Sequence, residues 1–190
     1  MKEKVNDNEN FTTISYSGQK VSNTEFDSCT FQNCDFSNAE LLNNDFVNCT
    51  FENCNFALTK LTGSGMKDVQ FIGCKLVGIN FHSCSDFLFS VKFQECILDY
   101  SSFADKKMKK TVFSGCSMKE VDFFTADLTG TVFQNCDLYH AVFQRTNLEK
   151  ADFRTATNYS FDPEANKIRK AKFSYSGIAG LLVKYNIDIE

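Results

Sequence analysis

Nine cysteines, two histidines and one run of lysines are the residues here whose types could do chemistry. The cysteines are Cys29, Cys34, Cys49, Cys54, Cys74, Cys84, Cys96, Cys116 and Cys136. Thiols in such number could ligate a soft metal, exchange disulfides or simply fill a core. Their spacing argues for the last. No Cys-x-x-Cys pair occurs, and the nearest neighbours, Cys29/Cys34 and Cys49/Cys54, are five apart. His82 and His140 have no nucleophile or carboxylate constellation around them in the sequence. "TGSGM", residues 62–66, lacks the strand–turn–helix setting of a nucleophile elbow. No phosphate loop or zinc signature is present. The expectation is a chain with no catalytic residues, no metal and no cofactor, and therefore not an enzyme.

The elements that would position these residues follow from an internal period. A large apolar residue returns every fifth position: Phe26, Phe31, Phe36, Leu41, Phe46, Phe51, Phe56, Leu61, Met66, Phe71, Leu76 and Phe81. The phase reaches back to Phe11, Tyr16 and Val21. Two extra residues blur it in 82–92, and it resumes from Phe93 to Phe153. Of 21 Phe, 17 sit at such a centre. The residue two before each centre is small, and all nine Cys occupy that slot; the remaining positions are mostly polar. A helix would want a period of 3.6 and a strand a period of 2. Five fits neither.

Every twentieth position, with the two-residue insertion allowed for, reads Phe11, Phe31, Phe51, Phe71, Phe93, Phe113, Phe133, Phe153 and Phe173. Five residues thus make one side of a four-sided coil. Identical residues stack on one another, as in a solenoid with flat walls. Phe31, Phe51, Phe71, Phe93, Phe113, Phe133 and Phe153 form the predicted core stack. Eight steps of about 4.8 Å predict a rod about 38 Å long. Stacking at that rise also disfavours a relaxed disulfide between neighbouring thiols.

Charge is distributed unevenly. Residues 1–60 carry a net −5 and residues 101–190 a net +2, in a whole of −4. Outward acids include Glu25, Asp27, Asp35, Glu40, Asp45 and Glu52 early, and Asp122, Asp127, Asp137 and Asp152 later. By the 20-residue count the last four lie on three different sides. "KKMKK" places Lys106, Lys107, Lys109 and Lys110 on one side, with Lys167, Arg169 and Lys170 three coils further along it. This is either a solvated wall corner or an anion-contacting stripe.

After Phe153 the pattern weakens, with Asn158 and Pro163 at expected centres. Ile178, Leu181, Leu182 and Tyr185 then follow i, i+3, i+4, i+7, the spacing of a short amphipathic helix that Ser174 or Ser176 would cap. Such a helix would serve as a lid, a dimerisation element or both. The expected organisation is a flexible N-terminus over 1–10, a repeat array over 11–175 with a register break at 82–92, and a helical cap over 176–190.

The five-residue pattern (small, polar, Phe or Leu, polar, polar) resembles the pentapeptide-repeat family. The resemblance implies an all-β fold, a right-handed quadrilateral β-helix, here with a short C-terminal α-helical cap. The tail "ATNYSFDPEANKIRKAKFS…GLLVKYNIDI" is similar to that of the family's gyrase-protecting group, which includes the albicidin-resistance, microcin-immunity and Qnr proteins. That likeness implies a non-catalytic DNA mimic that binds DNA gyrase or topoisomerase IV and relieves a topoisomerase poison. It also implies a homodimer through the C-terminal end, with Ile178, Leu181, Leu182 and Tyr185 at the contact. Asp122, Asp127, Asp137 and Asp152 are the expected topoisomerase contacts, because a C-terminal dimer brings them nearer its middle.

The rival reading is a scaffold solenoid for some other protein, and a third makes the lysine stripe a direct nucleic-acid contact. No apolar run approaches a membrane span and "MKEKVNDNEN" lacks a signal-peptide core, so the expected location is cytoplasmic, with no membrane partner.

Overall fold

The computed structural model describes residues 4–188. Short parallel strands stack coil upon coil into a four-sided β-solenoid. The longest wall is β2 (Asn10–Thr12), β5 (Thr30–Gln32), β8 (Thr50–Glu52), β10 (Val69–Ile72), β11 (Val91–Gln94), β12 (Val112–Ser114) and β13 (Val132–Gln134). A second wall is built from β1 (Lys4–Asp7), β4 (Thr24–Asp27), β7 (Asp45–Val47) and β9 (Gly65–Lys67). A third starts with β3 (Lys20–Ser22) on β6 (Glu40–Leu42). The fourth is a ladder of single bridges from Ser15↔Asp35 to Asp137↔Thr157.

Each five-residue side turns its corner two residues after the inward centre. That residue adopts a left-handed backbone almost throughout: Asn33, Asn38, Asn43, Asn48 and Asn53 have φ of 52–55°. Asn tolerates this region better than most side chains, and Gly73 and Gly115 need no tolerance at all. The recurrent Asn and Gly are therefore corner chemistry rather than generic surface polarity. Parallel pairing then places like on like. Phe31 pairs with Phe51 and Phe51 with Phe71, each twenty residues on, whereas Phe71 pairs with Phe93, twenty-two on. The two extra residues are taken up in a loop between Phe81 and Val91, which opens with a 3-10 turn over Phe81–Ser83.

The interior is a column of rings. From Phe11 to Phe173 successive centroids of the principal stack lie 4.7–5.4 Å apart, nearly parallel throughout. A second stack, Phe81, Phe103, Phe123 and Phe143, stands edge-on to it. Offset-stacked and edge-to-face contacts are the two favourable ring geometries, and the square cross-section uses one along the axis and the other across it.

Two expectations are corrected at the ends. Residues 4–10 are not a flexible lead. Lys4–Asp7 pairs with Thr24–Asp27, Asn10 begins β2, and Asn6 is buried at an inward centre. Asn6 lies five before Phe11, so the repeat runs one unit further back under a polar residue. The tail is not an α-helix either: it forms two 3-10 turns, Ile178–Leu181 and Val183–Tyr185. The reason is where its backbone presses. A Cβ on Gly180 would collide with the Tyr159 carbonyl oxygen, and the Gly180 carbonyl accepts from Phe161 N–H at 3.2 Å. The last coil consumes a carbonyl that an α-helix would use itself. Neither Ser174 nor Ser176 caps the first 3-10 turn, whose N-cap is Gly177; Ser174 Oγ accepts from Gly177 N–H at 3.1 Å in the turn before it. Lys184 pins the segment through Asp162 (2.6 Å) and Glu164 (2.7 Å). No described helix is long and apolar enough to cross a membrane.

Candidate interaction surface

The inward small slot has a task beyond filling space. Its side chain donates to the carbonyl of the large inward residue on the coil before. Thr59 Oγ1 reaches the Phe36 carbonyl at 2.6 Å, Ser64 the Leu41 carbonyl at 2.7 Å and Ser101 the Leu76 carbonyl at 2.7 Å. The thiols do the same, Cys49 to Phe26 at 3.2 Å and Cys74 to Phe51 at 3.3 Å. A hydroxyl or thiol here adds a donor for that carbonyl, whereas Ala39, Val69, Val91 and Val121 fill the same slot without one. All nine cysteines are buried and free. Burial pushes the Cys49 and Cys84 thiols up to about 12, which holds them protonated and unreactive. Their chemistry is structural.

Lys106 departs from its expected place among the outward lysines. It stands two before Met108, in the small slot, and only 2 % of its side chain is exposed. Its Nζ donates to the Cys84 carbonyl at 2.7 Å and to Asp86 Oδ1 at 2.6 Å, and lies 5.0 Å above the Phe89 ring. A buried ammonium is tolerated only when paired and hydrogen-bonded, and residues 84–89 supply every one of these partners. The loop and the lysine therefore fix one another. What the loop presents is apolar: Phe87 is 79 % exposed and Leu88 53 %. The sequence placed Lys106 on the correct count for an inward slot; its charge disguised it.

The four aspartates expected at a topoisomerase contact do not form a patch. They lie on four bridge ladders, one per wall, rather than three: Ser102–Asp122–Val142, Lys107–Asp127–Asn147, Ser117–Asp137–Thr157 and Val132–Asp152–Lys172. Each carboxylate is also engaged in its own turn, accepting the N–H two residues on: Phe124, Thr129, Tyr139 and Arg154 respectively. A carboxylate immediately before the inward centre is thus a turn device. The Arg154 guanidinium, bound through two nitrogens, holds the Asp152 carboxyl below its usual range. For Asp127, burial pushes up but the Thr129 hydroxyl and N–H more than offset it, so its carboxyl also lies low.

The outward charge that does line up is on the β1–β4–β7–β9 wall. Glu25 stands in register with Asp45, and Asp7 with Asp27. Further along the same wall, past the loop, Lys107, Lys109 and Lys110 begin a basic stretch that ends in Lys167, Arg169 and Lys170. Lys110, Lys150 and Lys170 share one left-handed corner column, at φ of 59–60°. This half of the wall is cationic even where Asn or Gly would suit the backbone better.

A family model for the pentapeptide repeat region matches residues 24–103 and 85–153. The chain belongs to the pentapeptide-repeat family. Its solenoid is similar to that of full-length QnrB1, a plasmid-mediated fluoroquinolone resistance protein, at 18 % identity over 94 % of this chain and 100 % of that one, with a TM-score of 0.53. It is equally similar to HetL, a pentapeptide repeat protein involved in heterocyst differentiation regulation from the cyanobacterium Nostoc sp. strain PCC 7120. There the identity is 13 % over 90 % of this chain and 88 % of that one, with a TM-score of 0.55. At these identities the likeness is one of fold. A search of curated protein sequences gives no significant match.

Proposed function

We propose that this pentapeptide-repeat protein is a non-catalytic binding protein that docks on DNA gyrase or topoisomerase IV in place of duplex DNA and relieves a topoisomerase poison. The observation that carries this reading is the carboxylate ladder Asp7, Glu25, Asp27 and Asp45, on one flat wall at a fixed rise per coil. A basic groove that neutralises phosphates is the complement of such a wall. The fold shared with QnrB1 and the tail resemblance support the same partner. Asp122, Asp127, Asp137 and Asp152 contribute less, since their oxygens are bound in turns on separate walls.

Purified protein added to a gyrase supercoiling reaction containing a cleavage-trapping poison should restore supercoiling. The Glu25→Gln, Asp27→Asn, Asp45→Asn variant should need about tenfold more protein, equivalent to about 1.4 kcal/mol. No effect of the intact chain on gyrase or topoisomerase IV would remove the proposal. The alternative is a scaffold for a protein unrelated to topoisomerases, favoured by the cationic half of the same wall, which a uniformly acidic DNA mimic would not carry.

A homodimer through the tail belongs to this reading. Leu181 is a lid residue, 7 % exposed against the core, whereas Ile178, Val183 and Tyr185 are open to solvent and Leu182 is half-buried. Ile178→Asp with Val183→Asp should therefore convert a sedimenting dimer to a monomer while leaving the circular dichroism spectrum unchanged. An intact chain that sediments as a monomer at micromolar concentration would refute the tail contact.

A further inference from the structure

One wall of the rod is the complement of itself. Its first half, over β1, β4, β7 and β9, presents Asp7, Glu25, Asp27, Asp45 and Asp68 against two cations, Lys4 and Lys67. Its second half presents Lys107, Lys109, Lys110, Lys150, Lys167, Arg169 and Lys170 against Asp127 and Glu149. The sign changes at the loop, where Lys106 cancels Asp86 and the exposed groups are Phe87 and Leu88. Among the described residues, Asp7, Asp27 and Asp68 are bonded only to neutral donors, from Asn8, from Ser28 and Asn48, and from Ser90. Of the seven cations, only Lys109 makes an ion pair among the described residues, with Asp127 at 3.3 Å.

We propose that this wall binds a second copy of the chain, antiparallel, with the acidic half of each against the basic half of the other. The order acid, apolar tip, base leaves a single favourable arrangement. Parallel rods would oppose like charges, whereas a two-fold axis across the rod pairs unlike ones along the whole wall and makes the contact isologous. The tips then come together near that axis. A notch of about 250 Å³ beside the loop, lined by Asp45, Val47, Met66, Phe87 and Leu88 among others, leaves room for the partner's tip. Exposed ion pairs are individually weak and screened by salt, so the association is weak and strongly salt-dependent. It uses neither the tail nor any topoisomerase and does not rest on the function proposed above, but it covers the same carboxylates, so the two contacts would compete for this wall.

The test is sedimentation equilibrium on full-length variants of opposite charge pattern. Asp7→Lys, Glu25→Lys, Asp27→Lys makes the first half net basic, with only Asp45 and Asp68 left as acids; Lys107→Glu, Lys109→Glu, Lys110→Glu moves the second half toward acidic. The intact chain should associate at least tenfold more weakly in about 0.5 M than in about 0.05 M salt. Each reversed variant alone should lose the contact, while an equimolar mixture should recover it. Phe87→Ser with Leu88→Ser, which alters no charge, should weaken association at least fivefold. A mixture that fails to associate, with both variants folded by circular dichroism, overturns the proposal. So does an association indifferent to salt and to all three variants.

Discussion

Phe113→Ala lowers the stability of the rod by about 3–5 kcal/mol, the range for an aromatic ring removed from a sealed interior. Phe113 is fully buried in the middle of the principal stack, 5.3 Å from Phe93 and 5.4 Å from Phe133. It also meets Phe103 and Phe123 edge-on at 6.0 and 6.2 Å. Parallel pairing of β12 with β11 and β13 fixes the backbone on both sides, so the walls cannot close over the void. In a solenoid each coil leans only on its neighbours, and a hole in the middle weakens two interfaces at once. Phe11 is the internal control: it is half-buried, belongs to the same stack, and touches a ring on one side of the stack only. Phe11→Ala should cost less than about half as much. Urea unfolding followed by circular dichroism separates the two. A Phe113→Ala midpoint within about 1 kcal/mol of the intact chain would mean that the stack is not what holds the rod together.

The architecture was legible because the period is carried by residue size, and size is what the interior selects. Phe at every twentieth position stated the coil length, and the jump from Phe71 to Phe93 stated the insertion. Asn6 and Lys106 were illegible for one shared reason. Both occupy inward positions on the correct count while carrying polar or charged groups, so polarity was read in preference to phase. The Asn and Gly two residues past each centre were visible too, yet their role as left-handed corners becomes plain only once the chain turns there. The tail misled differently. The spacing of Ile178, Leu181, Leu182 and Tyr185 is helical, but the close approach of Gly180 to Tyr159 is a tertiary fact that no local pattern contains. Likewise the four aspartates were outward in sequence, and only hydrogen bonds to the N–H two residues on show that their charge is committed.

Asp86→Ala destabilises the chain more than Lys106→Met does, although aspartate is the exposed partner and lysine the buried one. The ammonium of Lys106 keeps only the Cys84 carbonyl and the Phe89 ring when Asp86 is lost. A buried charge stripped of its counter-charge costs about 3–5 kcal/mol where water is excluded. The Asp86 side chain is 82 % exposed, so water can replace part of it, and about 1–3 kcal/mol is the expected loss. Methionine at 106 keeps the length of the side chain and removes the charge, leaving an apolar group in a slot that elsewhere also takes Val69, Ile79, Val91 and Val121. That change should cost less than about 1.5 kcal/mol. Combining the two should cost no more than Lys106→Met alone, because Asp86 then has nothing buried to neutralise, and the non-additivity measures the pair. The loop reports separately from the rod. Without its anchor the Phe87–Leu88 tip is free to move, and chymotrypsin should cut there at least tenfold faster in Lys106→Met at a temperature where the solenoid is still folded. Equal cleavage of the intact chain and Lys106→Met, together with additive losses in the double variant, would show that the lysine neither holds the loop nor depends on it.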